Sequence, residues 1–158
     1  YRLRDVLQEV RDRYDYILID CPPSLSILTV NGLVAAKHGV IIPVQCEYLA
    51  LEGLGQLTQT LNRVRGSLFP ELQVRGVVLT MYDGRTRLAG DVVAEVRNHF
   101  GDQVFQSIIP RSVRLAEAPS YGIPVSLYAP DSSAAKAYSA LAREVLEQDG
   151  IHIPVLQS

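Results

Sequence analysis

Residues 14–23 read YDYILIDCPP, a short apolar run that ends in one carboxylate followed by a pair of prolines. The run has the length and composition of a buried β-strand, and the prolines impose a turn directly after it. An aspartate at the carboxyl end of such a strand, here Asp20, is the Walker B pattern, in which the carboxylate faces a nucleotide-bound Mg²⁺. A simpler interpretation is that Asp20 caps the turn. Both interpretations predict a strand over 16–20.

A Walker B aspartate normally acts together with a Walker A loop, GxxxxGK[ST], whose amides and lysine hold the phosphates. The 158 residues contain no such loop. Their lysines, Lys37 in AAKH and Lys136 in AAKAY, do not follow a glycine-rich turn. The chain also begins at Tyr1, and its single methionine is Met81. We therefore expect this sequence to be part of a longer protein that carries the phosphate-binding loop upstream.

The composition is that of a globular protein, with 47% hydrophobic and 20% charged residues. The net charge of −2 excludes a global positive field that would attract nucleic acid, so any such binding must use a local patch. Cys21 and Cys46 form no CxxC or zinc pattern and are predicted to be reduced, buried thiols. No apolar run has the length of a membrane span, and no signal peptide opens the chain. We expect one α/β domain over 1–150 and a tail over 151–158.

Short apolar runs alternate with segments of helical period along the chain. The clearest helix covers 51–68, where leucines and valines recur at steps of three and four (Leu54, Leu57, Leu61, Val64 and Leu68). Nearly continuous apolar strands separated by helices predict a mostly parallel sheet flanked by helices on both faces. The other predicted strands are 39–44, 76–80 and 104–109, with a short edge strand over 123–127. The other predicted helices are 2–13, 25–36 after a Ser24 cap, 88–100, 113–117, and a last helix from Asp131 or Ser132 to 148.

Right-handed crossovers bring the carboxyl ends of all parallel strands to one edge of the sheet, which is where α/β proteins bind ligands. The polar residues that follow the predicted strands are therefore the candidates for function. They are Asp20, Gln45, Glu47, Asp83, Arg85, Arg87, Arg111 and Arg114.

Four segments in order, YDYILIDCPPSL, IIPVQCEYLALEGL, VVLTMYDGRT and IIPRSVRLAEAPSYG, strongly resemble the ParA/Soj chromosome- and plasmid-partitioning ATPases. These are deviant-Walker P-loop proteins related to MinD. The resemblance covers residues 3–146 and implies the α/β fold of P-loop NTPases, here without the N-terminal P-loop strand. It also implies ATP and Mg²⁺ as cofactors of the intact parent protein, with this chain inactive alone.

The resemblance also implies roles for residues at the predicted sheet edge. Asp20 would hold Mg²⁺ through water and help to orient the hydrolytic water. Pro110 matches the position where the family's backbone packs against adenine, although a proline there could simply end the strand. Ser112 stands where the family often has Asn, so base recognition by that side chain is in doubt. Met81 completes the predicted nucleotide contacts.

The arginines form a second group. Arg85 and Arg114 match positions that bind DNA without sequence preference in ParA/Soj proteins, and Arg87 and Arg111 lie beside them in the sequence. Guanidinium groups suit phosphate oxygens, and such binding depends steeply on salt. Four arginines predict weak binding by one protomer and much tighter binding by a dimer. Solvated loop arginines without a role are the alternative.

The function that the resemblance implies is an ATP-dependent homodimer that holds non-specific double-stranded DNA. A ParB/Spo0J-type partner would stimulate hydrolysis, and the protein would be cytoplasmic and nucleoid-associated. One alternative is a MinD-like membrane switch, which needs a basic amphipathic C-terminal helix. The tail after Gly150 has no lysine or arginine and contains Pro154. A second alternative is a non-catalytic fragment that serves only as an interaction module.

Overall fold

The computed structural model describes residues 2–22, 26–36, 39–67 and 69–152. The chain divides into two compact units: the first comprises Tyr1–Ile41 and Glu52–Arg75, and the second Ile42–Leu51 and Gly76–Ser158. The first unit holds Asp20, and the second holds all the other predicted site residues. A single domain over 1–150 stays a prediction. The Ser24 cap, the side chains of Leu54, Leu57 and Leu68, and most of the tail lie outside the described residues.

Helices and strands alternate as the hydrophobic pattern predicts for most of the chain. The strands are β1 (Val40–Gln45), β2 (Val74–Tyr82) and β3 (Val104–Pro110). The helices are α1 (Arg2–Leu7), α2 (Ile27–Ala35), α3 (Tyr48–Ser67), α4 (Arg87–Phe100), α5 (Val113–Glu117), α6 (Val125–Tyr128) and α7 (Ser133–Gln148). Short 3₁₀ turns occur at Arg11–Arg13, Gly101–Gln103 and Ala118–Tyr121. Across the described ranges, no helix is long and apolar enough to cross a lipid bilayer.

The three strands form one sheet in the order β1-β2-β3. The amide of Val40 donates to the carbonyl of Gln73, and that of Cys46 to the carbonyl of Thr80, so β1 and β2 run in the same direction. Strands β2 and β3 are also parallel. The sheet and its flanking helices confirm the predicted α/β class.

Hydroxyl side chains begin three of the helices. Ser26 accepts a hydrogen bond from the amide of Thr29 in α2, Thr86 from that of Ala89 in α4, and Ser132 from that of Ala135 in α7. Such caps satisfy amides that have no partner within the first turn of a helix. Of the two predicted caps for the last helix, Ser132 is the residue that acts.

The core of the second unit includes residues of the sheet and of α4. Val77 and Leu79 of β2 and Val92 and Val96 of α4 are all fully buried. The two α4 valines are four residues apart in the sequence, a spacing that puts both side chains on one face of a helix. Gly76 allows close packing here, because a Cβ at that position would stand 2.7 Å from Cζ of Phe105.

In the first unit, α2 and the second half of α3 supply the core. Leu33 and Val34 of α2 and Leu61 and Val64 of α3 are buried. The chain after α3 is tied back by the Arg65 Nε atom, which donates to the carbonyl of Leu72 at 2.7 Å.

Strand β3 is hydrogen-bonded to the Glu144 side chain of α7. Between the pairs Val77↔Val104 and Leu79↔Ile108, two steps along β2 match four along β3, so β3 bulges. The Glu144 carboxylate accepts from the amides of Gln106 and Ser107, both at 2.7 Å, and from the Ser107 hydroxyl. Glu144 therefore satisfies donors that the bulge releases from the ladder.

The predicted strand over 16–20 is wrong in the structure. The segment has no strand assignment, and Leu18 is 87% exposed. A β-strand is held by a hydrogen-bonded ladder, and within the described residues the sheet contains only β1, β2 and β3. An apolar run therefore indicates that a segment can be buried, but it does not provide a neighbouring strand with which the segment can pair.

Two further predictions of secondary structure are wrong. Residues 123–127 do not form an edge strand, because Pro124 starts the short helix α6, and its carbonyl accepts from the amides of Leu127 and Tyr128, both at 2.9 Å. Residues 2–13 are not one helix. After α1 the amides of Gln8 and Glu9 bond three residues back, which is 3₁₀ geometry.

Candidate nucleotide and phosphate-binding edge

The carboxyl ends of the three strands meet at one edge of the sheet, in the second unit. The amide of Cys46, just after β1, donates to the carbonyl of Thr80 in β2 at 2.8 Å. The amide of Arg111, just after β3, donates to the carbonyl of Tyr82 at 2.8 Å. These two bonds place Glu47, Asp83 and Arg111 on neighbouring strand ends, as the parallel sheet predicts.

Strand β2 is distorted just before it ends. Met81 has φ 55°, in the left-handed region that residues with a Cβ rarely adopt. The register with β3 shifts between Leu79 and Tyr82. Bulges of this kind turn a strand and re-aim the side chains that follow it. The distortion thus sets the direction in which Tyr82 and Asp83 leave the sheet.

Asp83 and Arg85 form a two-pronged ion pair. Nε of Arg85 donates to Oδ1 of Asp83 at 2.8 Å, and Nη2 donates to Oδ2 at 2.6 Å. The backbone amide of Arg85 also donates to Oδ1, at 3.1 Å. The hydrogen bonds from Arg85 hold the pKa of the Asp83 carboxyl well below its ordinary value, and the charge of Arg111 adds to the effect. Asp83 is therefore a charged acceptor throughout the neutral range.

Arg111 continues this line of charges toward β1. Its Nη2 atom donates to Oε1 of Glu47 at 2.5 Å, and both side chains are about half exposed. Four charged side chains at the three strand ends therefore form what we call the charged row: Glu47, Arg111, Asp83 and Arg85.

Arg114 belongs to a separate group around α5. Its Nη1 atom donates to Oε2 of Glu117 at 2.9 Å, and the hydroxyl of Tyr128 donates to the same oxygen at 3.1 Å. The ring of Tyr128 stacks on that of Tyr121, with centroids 5.0 Å apart. Partial burial raises the pKa of Tyr128, and the hydrogen bond to Glu117 raises it further. Arg114 is thus positioned by its own helix.

Arg87, the first residue of α4, is the most exposed of the four arginines. Its side chain is 95% exposed, and its Nε atom lies 3.9 Å from Oδ2 of Asp91. A pair with this geometry contributes little to stability. The structure therefore brings Arg85 and Arg111 together in the charged row and places Arg87 and Arg114 on the helices that follow β2 and β3.

The sequence reading missed the carboxylates that pair with the helical arginines. Asp91 stands four residues after Arg87, and Glu117 three residues after Arg114. Those spacings place side chains on one face of a helix, so the signal was present in the sequence.

Two predicted nucleotide contacts lie at the end of β3. Pro110 is the last residue of the strand and is half-buried. Ser112 takes the N-cap position of α5, but its hydroxyl does not cap the helix. The hydroxyl is therefore not committed to capping.

Asp20 lies in the first unit, in an exposed position of a segment without regular secondary structure. That segment packs on α2 at Gly32, where a Cβ would come within 2.5 Å of Sγ of Cys21. The hydroxyl of Thr29 donates to the carbonyl of Pro22 at 3.3 Å. These contacts with α2 position the backbone that follows the carboxylate.

No group of three His, Cys, Asp or Glu residues that could hold a metal occurs in the described part of the chain. Mg²⁺ bound with a nucleotide needs only one or two carboxylates, because phosphates and waters complete its octahedron. A single exposed carboxylate such as Asp20 fits that role.

The fold is shared with nucleotide-binding proteins of known structure. Cobyrinic acid a,c-diamide synthase from Mycobacterium smegmatis, solved with an ATP analog and magnesium, is 34% identical with a TM-score of 0.75, over 100% of this chain and 59% of that one. The septum site-determining protein MinD from Pyrococcus horikoshii OT3, solved with Mg-ADP, is 26% identical with a TM-score of 0.71, over 94% of this chain and 57% of that one. The family described as an AAA domain matches residues 1–74. The chain has the α/β fold of P-loop NTPases.

Curated relatives in sequence point to a narrower group among the proteins with this fold. The chromosome-partitioning ATPase Soj of Treponema pallidum (strain Nichols) is 55% identical over 148 residues, which are 94% of this chain and 58% of the relative. The chromosome partitioning protein ParA of Caulobacter vibrioides (strain NA1000 / CB15N) is 55% identical over 151 residues, 94% of this chain and 56% of the relative. The chain thus spans little more than half the length of these relatives. It is strongly homologous to the Soj/ParA chromosome-partitioning ATPases, which confirms the resemblance inferred from its four segments.

Proposed function

We propose that the full-length protein containing this chain is a DNA-partitioning ATPase of the Soj/ParA type. The observation that carries the proposal is the 55% identity to Soj and ParA over 94% of the chain. The protein binds ATP with Mg²⁺, forms a homodimer and holds double-stranded DNA without sequence preference. Hydrolysis, stimulated by a ParB-type partner, separates the dimer and releases the DNA.

In this proposal the roles toward the nucleotide are assigned residue by residue. Asp20 holds Mg²⁺ through water and orients the attacking water. At the strand ends, Pro110 packs against the base. The remaining nucleotide contacts come from Ser112 and Met81. The bound nucleotide and metal supply the hydrolytic chemistry, while these residues position it. The half-buried ring of Pro110 and the uncommitted hydroxyl of Ser112 support this assignment.

DNA binding is assigned first to Arg85 and Arg114, and secondly to Arg87 and Arg111. The side chains of Arg85 and Arg114 are 87% and 57% exposed although each is paired with a carboxylate. An exposed guanidinium can donate to a phosphate oxygen without a large desolvation cost. Few such contacts per protomer give weak binding, which a dimer strengthens through multivalency.

The test is DNA binding by the full-length protein with ATP and Mg²⁺, measured by the anisotropy of a labelled duplex over a range of salt. We expect Arg85→Ala and Arg114→Ala each to weaken binding about five- to fiftyfold and to lower the salt slope by about one, since each removes one phosphate contact. Lys136→Ala removes one exposed positive charge from α7 and serves as the control.

An unchanged affinity and salt slope in both arginine variants would refute the assignment of the patch. A wild-type protein that binds no DNA with ATP would refute the proposed function as a whole. The MinD-like alternative rests on a lower identity of 26%. Sedimentation with anionic liposomes addresses it directly, because a membrane switch would pellet only when ATP is present.

A further inference from the structure

Each arginine assigned to DNA is paired with a carboxylate of the same chain. Arg85 pairs with Asp83, Arg111 with Glu47, Arg114 with Glu117, and Arg87 with Asp91. The charged row contains two positive and two negative side chains, so its net charge is zero. A surface that binds a polyanion by charge alone would carry an excess of positive groups.

The Asp83 carboxylate contacts the Arg85 guanidinium in the way that a phosphate group would contact it. The two oxygens of Asp83 meet Nε and Nη2 of Arg85 at 2.8 Å and 2.6 Å. This arrangement is the two-pronged contact that guanidinium groups also make with phosphate. The Asp83 side chain is only 22% exposed, whereas that of Arg85 is 87% exposed. The carboxylate thus lies on the protein side of the guanidinium, and Nη1 takes no part in the pair.

Two effects of Asp83 on phosphate binding therefore oppose each other. By its hydrogen bonds it orients the Arg85 side chain, which favours binding. By its charge it repels a phosphate that reaches the outer edge of the same guanidinium. Asparagine can still accept from the backbone amide and Nε of Arg85 through its Oδ1 atom, but it carries no charge. The substitution Asp83→Asn consequently separates the two effects.

We propose that Asp83 limits the affinity of this surface for DNA, as an internal anion that competes with phosphate for Arg85. The proposal rests on the proposed function. Glu47 acts in the same way on Arg111, since the two are joined at 2.5 Å in the same row. The consequence is that a single protomer binds DNA weakly and releases it readily once a dimer separates.

The experiment compares full-length wild type with Asp83→Asn and Glu47→Gln in the anisotropy assay, with ATP and Mg²⁺, at several salt concentrations. We expect each variant to bind about fourfold more tightly, which corresponds to one unit charge about 5 Å from a phosphate in water. The salt slope should steepen by about one unit per protomer, since one more positive group is left uncompensated.

The matched control is Asp102→Asn, which makes the same charge change in the exposed Gly101–Gln103 turn, at the amino end of β3. We expect it to change affinity by less than about twofold, because the added charge lies at the end of the strand away from the row. Thermal unfolding of each variant within a few degrees of wild type establishes that the fold is intact.

Equal or weaker DNA binding by both Asp83→Asn and Glu47→Gln, with wild type binding normally, would overturn this inference and leave the proposed function standing. It would mean that the carboxylates act by orienting the arginines. Tighter binding by Asp102→Asn to the same degree would also overturn it, since net charge alone would then explain the gain. No binding by wild type would instead refute the proposed function.

Discussion

Met81 shows how one residue sets the direction in which a strand leaves the sheet. Its φ of 55° is unfavourable for a side chain with a Cβ, by about 1–2 kcal/mol. The surrounding structure imposes this conformation, and the bulge at the same place turns Tyr82 and Asp83 away from the ladder. Such distortions recur at binding sites, where geometry is kept at the expense of stability.

Substitution of Met81 tests whether this backbone conformation is strained. We expect Met81→Val to lower the free energy of unfolding by about 1–2 kcal/mol, since a β-branched side chain is poorly tolerated in the left-handed region. Met81→Leu keeps the size without the branch at Cβ and should change stability by less than about 0.5 kcal/mol. Urea denaturation measures both, and a valine variant as stable as the leucine variant would contradict the expected strain.

Residue-level reasoning from the sequence identified the charged side chains but not their pairing. Arg85, Arg111 and Arg114 were predicted at strand ends; the structure places Arg85 and Arg111 there, in the charged row, and Arg114 on α5, the helix after β3. That each one contacts a carboxylate depends on side-chain directions, which spacing specifies only within a helix, as for Arg114 and Glu117. The pair between Arg111 and Glu47 joins residues 64 positions apart and could not be read from local spacing.

At the scale of the elements, the Glu144 side chain joins α7 to β3 by hydrogen bonds. Glu144 receives two backbone amides and a hydroxyl of β3 at the bulge. Arg97 of α4 adds a bond from Nη1 to Oε1 of Gln106 at 3.2 Å. The exposed side of β3 is therefore bonded to helices rather than left open, which protects an edge strand from pairing with another chain.

Removal of the Glu144 carboxylate should weaken this attachment. We expect Glu144→Ala to lower the free energy of unfolding by about 1.5–3 kcal/mol, because two amides lose a charged acceptor. Glu147→Ala, on the same helix but exposed and without an ion pair to the strand, should cost less than about 0.5 kcal/mol. Chemical denaturation compares the two variants, and an equal effect would show that Glu144 contributes no more than an ordinary surface charge.

The elements that the sequence predicted well are those decided by local pattern. The buried valines at steps of four established α4, and Ser132 marked the start of α7. The prediction failed over 16–20, because a ladder partner is a property of the sheet and not of the segment. It failed over 123–127 because Pro124, which can start a helix as well as end a strand, was assigned to the strand.

On the scale of the whole molecule, the chain combines a P-loop NTPase fold with a sequence that lacks GxxxxGK[ST]. Backbone amides and the lysine of that loop supply most contacts to a triphosphate. The groups proposed for the nucleotide in this chain are a carboxylate, a proline ring and a hydroxyl, which are contacts of a different kind. Homology at 55% identity establishes the relation to Soj/ParA, while the nucleotide affinity of these 158 residues is a separate question.

Titration of this 158-residue chain with a fluorescent ATP analogue and Mg²⁺ answers that question. We expect no saturation below about 1 mM, which corresponds to roughly −4 kcal/mol, since no phosphate loop is present in the sequence. The full-length protein, titrated in parallel, should bind far more tightly. Micromolar, Mg²⁺-dependent binding by the chain would mean that its phosphates are held by residues other than a Walker A loop.

If the protein binds DNA as proposed, the balanced charges of the strand ends also bear on how fast it meets DNA. Long-range attraction accelerates encounter only when one surface presents an excess of the opposite charge. Here the row sums to zero and the chain as a whole carries −2, so distant duplex exerts little pull on it. Contacts of the guanidinium groups act only at hydrogen-bond range. Under the proposed function, we therefore expect a molecule released from DNA to diffuse away before it is captured again.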